Sequence, residues 1–190
     1  LTETDVHADG SKDAYFYTIT GQPYTAEHDT YDTTGFLTST VRTHADGSLA
    51  LNFTETAAGT KTTDTYDATG VITSEVVQHA DGFYSTALYT GGVETQAYIL
   101  NADHTQDNWT YGITGQSYTT LHQHLDGAGR LASAAWLYGN GVAEYVQTFN
   151  TDGSSSLDTY STTGVLMAET DNHADGSRDI YTYNITGQPY

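Results

Sequence analysis

Apolar and polar residues alternate along most of this chain, and glycine interrupts the alternation at short intervals. Asp13-Ala14-Tyr15-Phe16-Tyr17, Leu49-Ala50-Leu51-Asn52-Phe53 and Asp179-Ile180-Tyr181-Thr182-Tyr183 all carry a period of two, as strands do when their two faces differ. Thr, Tyr, Val and Ile fill these runs, which suits a pleated, half-buried surface. No window carries a helical period with caps at its ends. The pattern predicts an all-β chain of about 14–16 short strands, each joined to the next by a tight turn.

Two turn signatures punctuate the strands. Asp-Gly ends at Gly10, Gly47, Gly82, Gly127, Gly153 and Gly176, and Tyr-x-x-Thr-Gly ends at Gly21, Gly35, Gly70, Gly115, Gly164 and Gly187. Gly59, Gly92 and Gly141 fit the same spacing, whereas a turn near Asp103-His104 lacks its glycine. Most neighbouring points lie 10 to 12 residues apart and pair into a repeat of 23, the length of one β-hairpin with its two turns. The expected fold is a tandem array of antiparallel β-hairpins forming one long twisted or curled sheet. The array leaves room for closure into a barrel- or ring-like shape.

His-Ala-Asp-Gly occurs four times, at 7–10, 44–47, 79–82 and 173–176. In a three-residue hairpin loop, two residues form a type I turn and a third takes positive φ as a G1 bulge. Ala-Asp-Gly fits that order, with Asp tolerated at the second turn position and Gly free of a Cβ clash. His7, His44, His79 and His173 then precede their turns, with His124 in a nearly equivalent place. A structural role is expected for them, pointing to solvent or stacking on a cross-strand neighbour.

Residues 1–24 match 167–190 at 17 of 24 positions. Residues 1–190 are therefore expected to form a single repeat array, a fragment of a longer chain with equivalent units at its two ends.

Composition narrows the function classes. Twenty-four acidic residues against 5 basic ones give a formal charge of -19, which repels phosphate backbones and anionic lipid and argues against nucleic-acid partners. No apolar run is long enough to insert in a membrane. The chain has no cysteine, so thiolate metal sites, disulfides and a Cys nucleophile are excluded. Together these features suggest an extracellular or cell-surface protein.

Candidate chemistry is sparse. His122-Gln123-His124 sets two imidazoles on one strand face, so His122 and His124 are weak candidates for a transition metal. No cofactor is expected beyond adventitious calcium on the Asp-rich turns; there is no EF-hand loop. Paired carboxylates for glycoside hydrolysis could be drawn from so many acids, but the acids follow the repeat and no catalytic residue is assigned. The less regular stretch 92–150 holds both tryptophans. Trp109, Tyr111, Tyr118, Trp136 and Tyr138 could offer flat rings to a polysaccharide, or they could be core and cross-strand packing pairs. Trp136 lies in the most apolar strand and is expected to be buried.

Tyr31-Asp32-Thr33-Thr34-Gly35-Phe36-Leu37 and Tyr66-Asp67-Ala68-Thr69-Gly70-Val71-Ile72 resemble the YD repeat of Rhs-type and teneurin-type proteins. The pattern extends over most of the chain, although Phe36, Val71, Val165, Gln22 and Gln116 stand where that family usually has Arg. The resemblance implies stacked β-hairpins in a large secreted or surface protein, with no catalytic residues in the repeat itself. The expected function is a non-catalytic scaffold, stalk, adhesive or matrix element of a secreted bacterial protein. Its partners would be neighbouring repeats or other copies of itself. The alternative is a glycan-binding module.

Overall fold

The computed structural model describes residues 1–183, which form sixteen β-strands and no helix. The chain divides into two compact units, Leu1–Thr95 and Gln96–Tyr190. The first holds β1 (Thr2–Val6), β2 (Lys12–Tyr17), β3 (Ala26–Tyr31), β4 (Leu37–Thr43), β5 (Leu49–Glu55), β6 (Lys61–Tyr66), β7 (Ile72–Gln78) and β8 (Tyr84–Thr90). β9 (Val93–Leu100) follows, then β10 (Gln106–Thr110), β11 (Thr120–Leu125), β12 (Leu131–Leu137), β13 (Ala143–Phe149), β14 (Ser155–Tyr160), β15 (Leu166–Asn172) and β16 (Arg178–Thr182). Strand order in the sheet follows chain order from β1 to β16, so no pair of described strands closes it into a barrel or ring.

Most of the turns have a glycine of the pattern at positive φ. At the first, the Gly10 amide donates to the His7 carbonyl and the His7 amide to the Ser11 carbonyl, both at 2.9 Å, with Gly10 at φ 90°. That is a type I turn closed by a G1 bulge. The turn aspartate does more than tolerate its position. Asp9 Oδ1 accepts from the Ser11 amide at 3.0 Å and the Ser11 hydroxyl at 2.7 Å, and Asp46, Asp152 and Asp175 hold Ser48, Ser154 and Ser177 in the same way. In the Tyr-Asp turns, Asp32 and Asp67 reach two residues further. Each accepts from the amides of residues two and four ahead. At Asp103 the missing glycine is replaced by His104, which takes the positive φ itself, at 66°.

Three turns depart from expectation. Gly127 is not a positive-φ residue; its turn runs from Asp126 to Gly129, which sits at φ 76° and donates to the Asp126 carbonyl at 2.8 Å. Asp126 fixes that frame by accepting from the Ala128 and Arg130 amides and from the Arg130 guanidinium. Gly21 and Gly115 do have positive φ, but they lie in long loops, 18–25 and 111–119, rather than tight turns. The cause is the residue after the tyrosine. Asp32, Asp67 and Ser161 accept turn amides there, whereas Thr18 and Gly112 take positive φ and turn the chain away. The copy ending at Gly187 lies outside the described residues.

Each strand packs only on its sequence neighbours, so within each unit no second layer covers a face. Ala50 and Ala134 are the only buried apolar residues among those described. Trp136 is half-buried rather than buried, because among the described residues of its unit no second layer lies over β12. Cohesion therefore comes from the hydrogen-bonded ladder and from cross-strand side-chain pairs, each contributing about 0.2–1 kcal/mol.

The units also repeat each other with an offset of 94 residues: Gly35 and Gly129, Gly47 and Gly141, Gly70 and Gly164, and Gly82 and Gly176 correspond. The same offset relates Asp13 to Asp107, Tyr15 to Trp109 and His28 to His122. These last three pairs make the site.

Candidate functional site

Asp13 stands on β2, opposite Thr30 of β3, and Tyr15 stands opposite His28. A period of two puts all four side chains on one face. There, Asp13 Oδ1 accepts from His28 Nε2 at 2.9 Å and from the Thr30 hydroxyl at 3.0 Å. His7, ahead of the β1–β2 turn, donates from Nε2 to Asp13 Oδ2 at 2.5 Å. The Tyr15 ring lies flat on the His28 imidazole, with centroids 4.4 Å apart and planes 7° from parallel. One carboxylate thus ties together the β1–β2 turn, β2 and β3.

The second unit builds the same arrangement from β10 and β11. Asp107 Oδ1 accepts from His122 Nε2 at 2.7 Å and His124 Nδ1 at 2.9 Å, and its Oδ2 accepts from Asn101 Nδ2 at 2.9 Å. Trp109 stacks on His122 with centroids 3.8 Å apart, and on Tyr111 beyond it. Asn101 takes the place of His7.

Charge and donors set the protonation states. The hydrogen bonds from His7, His28 and Thr30 pull the Asp13 carboxyl down to about 2. The bond to Asp13 raises the His7 imidazole above its ordinary range, and the nearby Asp9 and Asp5 charges add to that. At Asp107, burial works to raise the carboxyl. Donation from His124, His122 and Asn101 outweighs it, and the net direction is down. Both aspartates are held as anions accepting several donors.

The other pre-turn histidines are also engaged. His44 Nδ1 bonds the Pro23 carbonyl at 2.8 Å and Nε2 the Asp67 carbonyl at 3.1 Å, clipping its turn to one on either side. His79 stacks on Phe83. His173 donates to Asp179 Oδ2 at 2.9 Å. The signal for the clusters was in the sequence as Asp-x-aromatic-x-Tyr at Asp13, Asp107 and Asp179, each six residues after His or Asn.

His122 and His124 share a face of β11 as expected, but they converge on one carboxylate oxygen. Among the described residues no group of three or more His, Asp or Glu is arranged to hold a metal ion. The turn aspartates likewise direct Oδ1 back into their own turns.

The five aromatic candidates do not form one row. Trp109 pairs with His122, and His122 with Ala135, so Trp136 points to the opposite face. On that face Trp136 meets Tyr145 edge-on at 6.4 Å. Together with Tyr118, Gln147 and Leu157 they line an open cavity of about 310 Å³. Tyr138 donates from its hydroxyl to the Tyr160 carbonyl at 3.2 Å, a clip like that of His44.

No protein-family model matches the chain, and no curated protein does. Among solved structures, the chain is similar to the SAS-4 (dCPAP) TCP domain of Drosophila melanogaster, solved in complex with a proline-rich motif of Ana2 (dSTIL). Identity is 14%, the match covers 95% of this chain and 90% of that one, and the TM-score is 0.32.

Proposed function

We propose that the chain is a non-catalytic structural repeat region of a large secreted bacterial protein, a scaffold or stalk of the YD-repeat type. One observation carries this reading: the side chains able to do chemistry are engaged in holding neighbouring hairpins together. Asp13 and Asp107 each collect three donors. Asn101 in the place of His7 also favours a donor role over acid–base work, since an amide donates but does not titrate. Because each hairpin meets only its neighbours, repeat number can change without a new core.

The direct test deletes one whole repeat, residues 48–70, which removes β5 and β6 and joins equivalent turns. The expected result is a folded, cooperatively melting protein by circular dichroism. Loss of the fold would refute the repeat-scaffold reading.

A second reading, glycan binding, is favoured by the Tyr118, Trp136, Tyr145 and Leu157 cavity. Aromatic faces of this kind accept the apolar faces of sugars. Polysaccharide binding lost in Trp136→Ala but kept in Trp109→Ala would support it. No binding across a broad polysaccharide panel would remove it.

A further inference from the structure

We infer that Asp81-Gly82 is a modification site: it is the Asp-Gly step that converts to isoaspartate in the folded protein, while hydrogen bonds protect the other five. Aspartate precedes glycine six times, at Asp9, Asp46, Asp81, Asp126, Asp152 and Asp175. In the reaction the glycine nitrogen attacks the aspartate Cγ. A C–N bond forms, and water leaves, made of the carboxyl hydroxyl and the amide proton. A second water then opens the succinimide at its main-chain carbonyl, so that the chain runs on through the former side-chain carboxyl. Glycine favours the first step because it has no Cβ to obstruct the approach.

Asp9, Asp46, Asp81, Asp152 and Asp175 are all exposed, so access to water does not separate them. The backbone does not separate them either. Gly82 has φ 88°, against 85–90° at Gly10, Gly47, Gly153 and Gly176, and its amide donates to the His79 carbonyl at 3.1 Å as theirs do at 2.9–3.2 Å. The carboxylate is what differs. In the other four turns Oδ1 accepts from a serine two residues ahead, from its amide at 2.9–3.0 Å and its hydroxyl at 2.6–2.7 Å. Asp126 collects the Ala128 and Arg130 amides and the Arg130 guanidinium. At Asp81 the serine is replaced by Phe83, and among the described residues one donor is left, the Phe83 amide at 3.3 Å. The same replacement gives His79 its stacking partner, with ring centroids 4.5 Å apart.

Two donors on one oxygen oppose ring closure in two ways. They fix the carboxyl group against the turn, so Cγ cannot swing its face toward the glycine nitrogen without breaking both bonds. They also favour the anion: the serine hydroxyl holds Asp9, Asp46, Asp152 and Asp175 below the ordinary carboxylate range, and an anion has no hydroxyl to lose as water. Asn140, which also precedes a glycine, is held at both ends, donating to the Thr162 carbonyl at 2.9 Å and accepting from the Val142 amide at 3.1 Å. Its ring closure releases ammonia and is told apart by mass. Conversion at Asp81 adds a methylene carbon to the main chain of the turn just before the Gln78–Tyr84 pair of β7 and β8.

The test incubates the folded full-length protein near neutral pH, then digests it and maps isoaspartate by electron-transfer fragmentation, which distinguishes the two linkages. Asp81 is expected to convert about ten-fold faster than each of the other five, the worth of a hydrogen bond to a charged group. In denaturant the six sites should convert at similar rates, because the turns are gone. Two substitutions move the protection. Phe83→Ser should slow Asp81 to the rate of Asp46, and Ser48→Ala should speed Asp46 in the wild-type setting of the β7–β8 turn. Ser48→Ala keeps the amide donor, so it reads the hydroxyl alone even if Phe83→Ser disturbs the His79 stack. Equal rates at all six sites in the folded protein would overturn the inference. So would an equal lead of Asp81 in denaturant, or an unchanged rate at Asp46 in Ser48→Ala.

Discussion

Asp13 and Asp107 occupy the same point in their units and are surrounded differently. The first unit brings His7, His28 and Thr30 to the carboxylate; the second brings Asn101, His122 and His124. What is kept is a carboxylate ringed by donors and a histidine under a flat aromatic ring. Which donor is histidine is not kept. The substitution pattern fits a strand clip, for which any well-placed donor serves, better than a device that needs imidazole at each place.

Buried carboxylates vary in the same way. In the first unit Asp29, 8% exposed, accepts from the Thr40 hydroxyl at 2.6 Å, while the second unit has Gln123 and Ala134 there. In the second unit Glu144, 7% exposed, accepts from Ser117 at 2.7 Å with both oxygens, where the first has Ala50 and Pro23. Among the described residues each unit buries one acid and satisfies it with hydroxyl donors, Thr40 and Tyr31 for Asp29 and Ser117 for Glu144.

That contrast predicts the largest effects. Thr40→Ala leaves Asp29 Oδ1 without its donor, with the Tyr31 hydroxyl still on Oδ2 at 3.3 Å, and should lower stability by about 1–3 kcal/mol, the cost of an unsatisfied buried acceptor. Ser117→Ala should cost a similar amount through Glu144. The pair Asp29→Gln with Thr40→Ala copies the second unit and should recover most of the loss. Denaturant unfolding of the three variants measures this; an equal loss in the single and the pair would break the correspondence between units.

A smaller effect tests a feature the units share. Asp64 faces Glu75 across β6 and β7, and Asp158 faces Glu169 across β14 and β15. Opposed carboxylates are unfavourable, so Glu75→Gln and Glu169→Gln should each raise stability by about 0.2–1 kcal/mol. Thermal melts of the two variants check both the sign and the match between them.

The smallest effect separates the units by pH. The folded His7 imidazole is raised above its unfolded value of 6.5. Its contribution is therefore complete below that pH and fades as pH rises through the raised value. Asn101 does not titrate, so the second unit has no such loss at the matching place. His7→Asn should make the β1–β2 hairpin insensitive to pH over that window, read by amide exchange corrected for intrinsic rates. At low pH, Asp13 behaves in the opposite sense. Its contribution is present above 3.8 and is lost as pH falls toward about 2.

The strands and most turns were legible in the sequence because a glycine at positive φ and an alternating strand are local properties. Gly127 was misread because two glycines compete within three residues and only the Asp126 bonds choose between them. The long loops after Tyr17 and Tyr111 were missed because the decision belongs to the following residue, Thr18 or Gly112, not to the shared glycine. The clusters were harder to read for a different reason. His28 reaches Asp13 from 15 residues away and only through the β2–β3 register, and a repeat search that counts turns does not see what faces what. The same search does not show that Trp109 and Trp136 belong to opposite faces.

The central claim is that the aspartate clusters hold adjacent hairpins and act only locally. Residue-resolved amide hydrogen exchange on Asp13→Asn tests it. The expected result is reduced protection in β1, β2 and β3, with β10, β11 and β12 unchanged. Unaltered protection in β1–β3 would contradict it, because the carboxylate and its histidines would then not be what holds those strands together.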